Sequence, residues 1–448
     1  MLSLRVLFSA SATCLLLAAP AHAFIWPVLP NDSVQPLGNN WGEYQNYGSR
    51  RSSGYFHNGI DIITPDRHNA PVVAVAHGWV KGWGTISADL HWRLAISDSS
   101  MEFTGRAPGW LYAHIDPDLP HSGVGDEVLP GDTIGFLVYW TVSGFDHIHF
   151  ARISDTGATW NRFPDYTWWF IENPLLTLEP SGDLAAPAFE NARPGRKFAF
   201  CNNNTSVYQE GDSLTGTVDI IARIYDRTGY TTGNDTWDKL APYRIDYLIR
   251  RSDGLVVVPW TRSVEFSSIL DGSDVYVVYQ WDNTCKSYGD YERREYYFVV
   301  TNTDGDSLIE ASDAAGSWDT EAVQDADYWV LVEASDHVGN STTDSMLVHT
   351  ANGITAVNHG RPLILTGPVS VRPNPGPGPT QVSFGLGSRA DVRLRVLDVC
   401  GRRVAAEERQ MEAGTQRLSL AGLSAGVYLV ELHVDGEKTH SAKLVVTR

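Results

Sequence analysis

Long apolar runs, cysteine and basic side chains are all scarce in this 448-residue chain. Past residue 23 no stretch approaches the roughly 18 uninterrupted apolar residues of a membrane-crossing helix, which argues against a transmembrane segment. Lys and Arg number 34 against 53 Asp and Glu, a formal charge of −19. Nucleic acid is a poor partner for such a chain, because phosphate binding is driven by clustered Lys and Arg. Simple electrostatic docking onto anionic membranes or wall polymers is disfavoured for the same reason, whereas an acidic surface keeps an exported protein soluble. Of the four cysteines, Cys14 lies in the N-terminal apolar stretch, leaving Cys201, Cys285 and Cys400. None has zinc-finger spacing or a His neighbour that would make it a nucleophile. In an oxidising exterior a Cys201–Cys285 bridge is expected, with Cys400 left over.

The N-terminus has the three parts of a secretory signal: Arg5, the apolar stretch Leu7 to Ala19, and the small-residue site Ala21-His22-Ala23. Residues 1–23 are therefore read as a signal peptide, and the chain as exported. Beyond it, runs at helical period are missing. Short alternating stretches such as VVAVA (72–76), RLAIS (93–97) and HIHFARI (147–153) are cut by Gly, Pro, Asn and Asp, the mark of antiparallel strands. The expected fold class is all-β: an antiparallel sheet domain at 24–180, then two β-sandwich domains. A small-residue stretch, SGDLAAPA, follows the first domain and reads as a linker, with the second domain as a spacer or binder. The second, at 186–350, contains RIDYLIRRSDGLVVVPW, a strand–turn–strand phrase, and ends in a hairpin at 328–350 resembling the last hairpin of immunoglobulin-like sandwiches. Such a sandwich implies no chemistry by itself. A linker is expected at 351–366.

The third unit, 367–448, opens at Asn374-Pro375, continues through LDVCGRRV and a Ser-Ala-Gly-Val-Tyr hairpin, and ends on the strand of Lys443. It resembles the C-terminal sorting domains of type IX secretion cargo, which would make secretion machinery a partner. Val392, Leu394 and Val396 share one strand face, while Val427, Leu429 and Glu431 lie on another.

Chemistry concentrates in HNGID (57–61), YAH (112–114) and HIH (147–149). In a strand-like run the imidazoles of His147 and His149 point to one face. Asn58-Gly59 breaks any helix, and a turn bringing His57 back toward Asp61 would let both meet one ion. With one histidine of HIH they make a His₂-carboxylate set, a known hydrolytic zinc arrangement. The surroundings then add Pro36-Leu37-Gly38 before HNGID, PVVAVAHGWVKGWG (71–84) after it, and VGDEVLPGDTIG (124–135) ahead of His147-Ile148-His149-Phe150. In this order and content, residues 24–180 resemble the LytM/lysostaphin-type zinc metallopeptidases, which cut peptidoglycan stem peptides or cross-bridges. That resemblance implies one Zn²⁺ held by His57, Asp61 and His149, with His114 and His147 as catalytic histidines and peptidoglycan peptides as substrate. No HExxH-like Glu is present, so a histidine must serve as base; which of the two does so stays open. Tyr47 or Tyr55 is a further candidate donor to the oxyanion.

The chain departs from that pattern at VYWTVSGFDHIHF (138–150), where Asp146 replaces a usual Pro, and at Ala151, where Glu is frequent. Asp146 is expected to face solvent, the alternative being a place near the site that raises a histidine pKa. Trp92, Phe103 and Trp110 are expected to pack rather than line a groove. His68, His77, His91 and His121 read as polar surface. The competing function is a non-enzymatic peptidoglycan-binding surface protein or an activator of another wall hydrolase. A peptidase for Gly-rich extracellular chains is a third.

Overall fold

The computed structural model describes residues 24–47, 53–64, 68–86, 89–161, 168–268, 270–353, 369–374, 376–377, 379–387, 389–398, 402–434 and 437–447. The expected signal peptide, the part of the expected linker beyond Gly353, and Cys400 lie outside the described residues. Half of the chain is strand and 4% helix, which makes the class all-β.

The N-terminal unit is built on one eight-stranded antiparallel sheet. Its order runs Leu37–Asn39, Ile60–Ile63, His147–Thr156, Arg106–Ala113, Trp92–Ser97, Gly78–Thr85 and Glu127–Val128, with Trp169–Glu172 joining the far end of His147–Thr156. Alternation explains the central strand. Ile148 and Phe150 are fully buried on one side, so His147 and His149 at the alternate positions face the other. Phe150 meets Tyr112 edge to face at 5.2 Å, locking the strand to its neighbour. Register then does the decisive work. His149 pairs with Asp61 on one side and with Ala113 on the other. Three strings scattered over 92 residues thus arrive side by side, since neighbouring strands lie about 4.8 Å apart.

The second unit pairs a six-stranded sheet, centred on Thr217–Tyr225, with a four-stranded one ordered Val256–Glu265, Arg244–Arg251, Asp327–Ser335, Ser341–His349. Both expected hairpins are present in the latter. Tyr328, Val330, Val332 and Ala334 are buried at every second position of Asp327–Ser335.

These two units do not hang from each other by a spacer; they share one continuous core. Phe56 packs against Phe266 and Tyr279, and Tyr44 against Tyr279 at 5.5 Å. Trp41 Nε1 donates to the Ser268 carbonyl at 3.2 Å, and the Tyr279 hydroxyl to that of Gly42 at 2.9 Å. At Gly289 a Cβ would stand 1.7 Å from the Tyr44 carbonyl oxygen, so the two backbones touch only because this residue has no side chain.

Cys201 and Cys285 are both buried in a small cluster with Ala192, Ala199, Ile221, Tyr297 and Val299, but both are free thiols. The expected bridge is therefore absent. Burial pushes the thiols up, to about 12 for Cys201 and about 11 for Cys285, so neither is a reactive thiolate at neutral pH.

The C-terminal unit has its own core, formed between a three-stranded and a five-stranded sheet. Val392, Leu394 and Val396 are fully buried. On Gly426–Val434 the inward residues are Val430, Leu432 and Val434, while Val427 and Leu429 are exposed on the open face. Asn374 bonds the backbone of Lys443 and Val445 through its amide, tying the start of the unit to its last strand.

Candidate metal centre

At the end of the large sheet, His57 Nε2, His149 Nδ1 and Asp61 Oδ1 converge. The two nitrogens are 2.9 Å apart, and each lies within 3.2 Å of the carboxylate oxygen. Donors around a tetrahedral zinc with 2.0–2.1 Å bonds stand about 3.4 Å apart, so the cluster is nearly at coordination spacing. Gly59 permits this approach, because a Cβ there would come within 2.6 Å of both His149 Cε1 and Nε2 or closer. His57 Nδ1–H donates to the Asn40 carbonyl at 3.0 Å, which leaves Nε2 as the lone-pair nitrogen facing the cluster. The other carboxylate oxygen of Asp61 accepts from the Asn39 amide. Burial alone would raise the Asp61 carboxyl, but the imidazoles of His57, His147 and His149 around it hold it well below the carboxylate range. The three residues offer N/O donors in the right number, and they fit a zinc ion.

His114 and His147 stand beside this cluster with their rings 4.6 Å apart. Each spends its Nδ1–H on a carbonyl, His114 on Leu90 at 2.7 Å and His147 on Phe145 at 2.8 Å. Both therefore present Nε2 elsewhere, and that of His147 is 3.7 Å from Asp61 Oδ2. His114 has φ +70°, a left-handed conformation uncommon for residues other than glycine. Strain of this kind is typical of functional sites, and here it falls on the residue just after the strand Arg106–Ala113. Burial holds the imidazoles of His114 and His147 below their usual value, in His114 well below, with the neighbouring histidines acting in the same direction.

The cleft over these residues has a volume of about 340 Å³. Tyr47, Tyr55, Phe56, Trp140, Phe170 and Tyr291 supply its aromatic lining, with His91 and Arg93 among its polar residues. Several surroundings differ from the sequence expectation. Asp146 is buried, not solvent-facing: it accepts from His68 Nδ1 and from the Trp140 backbone N–H, both at 2.8 Å. Those bonds hold Trp140, whose ring lies 4.6 Å from both His114 and His147. The charge of Asp146 does act upward on His147, but burial outweighs it. His91 is half-buried in the cleft with its ring 5.4 Å from His114, so it is not mere surface. His68 is exposed yet anchors Asp146, His77 pairs with Glu127 at the surface, and His121 stacks on Trp83 at 4.0 Å. Trp92 also stacks on Trp83, Trp110 is buried against Phe24 and Arg152, and Phe103 is exposed; none of the three lines the cleft.

Tyr47 lines the cleft, but its hydroxyl already donates to Asn39 Oδ1 at 3.2 Å. The same Asn39 oxygen accepts from Arg294 Nη2 at 2.8 Å. Arg294 comes from the second unit and has no exposed side chain. It also bonds the carbonyls of Trp237 and Lys239 and faces Glu43 at 3.5 Å. A chain of contacts thus runs from the sandwich through Arg294 and Asn39 to Asp61. Tyr291, from the same loop region, accepts from Trp140 Nε1 at 2.9 Å. Asn39 follows Pro36-Leu37-Gly38 directly, so its position beside the motif was visible; nothing local announces Tyr291 or Arg294.

Comparison with known proteins gives one family match. Residues 370–447 match the secretion system C-terminal sorting domain, which marks a secreted or cell-surface protein. No curated protein matches the chain. Among solved structures it is similar to a zinc-containing peptidase from Vibrio cholerae, at 21% identity over 31% of this chain and 38% of that one, with TM-score 0.22. It is also similar to latent PorU from Porphyromonas gingivalis, at 14% identity over 83% of this chain and 33% of that one, with TM-score 0.24. The chain thus spans well under half the length of these two proteins. The antimicrobial peptidase lysostaphin from Staphylococcus simulans aligns over 62% of this chain and all of that one, at 14% identity and TM-score 0.24.

Proposed function

We propose that this protein is an exported zinc metallopeptidase that hydrolyses peptide bonds in peptidoglycan stem peptides or cross-bridges. One observation carries the reading. Three potential metal-ligating donors converge at one end of a sheet, and two further imidazoles, each tied through Nδ1 to a carbonyl, stand beside them in an open cleft. His57, Asp61 and His149 would hold the ion. Bound there, zinc lowers the pKa of a water toward neutrality and polarises a carbonyl. The remaining work falls to the chain. His114 and His147, each fixed by a backbone carbonyl, serve proton transfer and oxyanion stabilisation through Nε2. Arg93, buried at the cleft, brings a positive charge suited to the carboxylates of a stem peptide.

The test uses the full mature chain. Metal analysis should find about one zinc per chain, lost in His149→Ala. Digestion of sacculi with product analysis should release muropeptides for the wild type and none for His114→Ala, which keeps its zinc. Zinc retained together with no cleavage of any wall peptide would favour a binding or activating role instead. Gly-Gly peptides beside D-amino-acid peptides distinguish a protein-directed peptidase.

A further inference from the structure

Outside the cleft, three carboxylates that the proposed chemistry does not use meet in the second unit. Asp183 lies in the small-residue segment that follows the first unit, Asp226 just past the strand Thr217–Tyr225, and Asp336 in the turn between Asp327–Ser335 and Ser341–His349. Each offers one oxygen, and the three oxygens lie within 4.8 Å of one another. All three residues are buried: Asp183 is 9% exposed, Asp226 and Asp336 3% each. The local fold aims them with care. Asp336 Oδ1 accepts the backbone N–H groups of Val338, Gly339 and Asn340, and the Asn340 amide bonds both Asp336 Oδ2 and the Asp183 carbonyl. Leu184 N–H donates to the Thr228 carbonyl at 2.9 Å, holding the segment against the sandwich.

What is missing is positive charge. Among the described residues none of the three carboxylates forms an ion pair with Lys or Arg, and Asp183 Oδ2 is buried with no hydrogen-bond partner at all. Burial holds the adjacent His337 below the usual imidazole range, so it supplies no compensating charge near neutral pH. Burial, with Asp336 nearby, pushes Asp183 up to about 7, and burial with Asp183 pushes Asp226 well above the carboxylate range. Three buried carboxylates without a counter-charge are costly, and proteins that retain them pair them or coordinate a metal.

We propose that Asp183, Asp226 and Asp336 form a calcium site that fastens the segment after the first unit onto the sandwich. All-oxygen, carboxylate-rich donors select a hard cation over zinc, and oxygens on opposite sides of Ca²⁺ at 2.3–2.6 Å stand about 4.6–5.2 Å apart. An orphaned, buried Asp183 oxygen gains the partner it lacks. The site clamps the second unit, whose Arg294 and Tyr291 reach the cleft.

The experiment is a calorimetric titration of CaCl₂ into the zinc-loaded full mature chain, with the thermal midpoint followed in parallel. The wild type should take up about one calcium, with Kd between roughly 10⁻⁵ and 10⁻³ M, and its midpoint should rise as calcium is added. Asp183→Asn, which keeps the acceptor for the Ala185 N–H, should lose both responses, while His149→Ala keeps them. Without calcium, Asp183→Asn should melt no lower than the wild type, because a buried carboxyl with no counter-charge is replaced by a neutral amide of the same shape. No heat and no midpoint shift in the wild type up to about 10 mM calcium overturns the site, whatever the variants do. So does calcium binding that Asp183→Asn leaves intact, or binding of magnesium in place of calcium.

Discussion

The described residues of 24–353 and of 369–447 are both built mainly from antiparallel strands but bury them differently. In the larger block, side chains of the first sheet and the sandwich intermix, with Trp41, Tyr44 and Phe56 covered by Phe266 and Tyr279. In the C-terminal unit every buried apolar residue packs on the same unit's own strands. Its exposed strand faces carry pairs such as Arg393 with Glu408, which is solvated and adds little. The difference teaches where the chain divides. A unit with a closed core can be added or removed with little consequence for the rest, as suits a sorting module. A unit that lends its neighbour half a core cannot.

Deletion breaks this comparison most severely. Ending the chain at residue 185 uncovers Trp41, Tyr44 and Phe56, at about 1.5–3 kcal/mol for each buried aromatic side chain. A typical domain has only about 5–15 kcal/mol of stability in all. Such a fragment should be insoluble or unfolded by circular dichroism, whereas one ending at residue 353 should keep its zinc and its thermal midpoint. A well-folded fragment 24–185 would show that the shared core is dispensable.

A smaller effect comes from Leu394→Ala, which empties part of the closed C-terminal core and should cost about 2–5 kcal/mol there. Scanning calorimetry of the full chain should show one transition lowered and the other unmoved, with zinc content unchanged. A shift of both transitions would mean that the cores are coupled.

The mildest test is Arg294→Lys. It keeps a positive charge opposite Glu43 but loses the planar fork that reaches Asn39 and two carbonyls together. Zinc affinity, measured by competition with a chromophoric chelator, should fall about 10–100-fold, the usual consequence of disturbing an outer partner of a ligand. Unchanged affinity would cut the link between the sandwich and Asp61.

Much of the fold and the proposed site could be read along the chain. The strands showed as two-residue alternation, and HNGID, YAH and HIH carried imidazoles and a carboxylate, with the two histidines of HIH at the spacing that a strand turns to one side. The misreadings share a cause. Asp146 looked like a solvent-facing polar residue because only the folding of residues 138–146 over the site buries it. His91 looked like surface because its nearness to His114 depends on how the strand Trp92–Ser97 pairs. The thiols of Cys201 and Cys285 fall in one apolar cluster, as an oxidised pair would, yet remain free.

By itself, then, the sequence determined the all-β class, the export-like composition and the donor chemistry of the candidate metal centre. Each is encoded in composition or in spacings of two to four residues, which backbone geometry converts directly into faces and turns. Only the tertiary structure decided that the first two units share a core, that Arg294 braces Asn39 across 255 residues, and that Asp183, Asp226 and Asp336 meet. Those contacts depend on sheet register and on which surfaces pack, and long-range packing leaves no period in the chain to read.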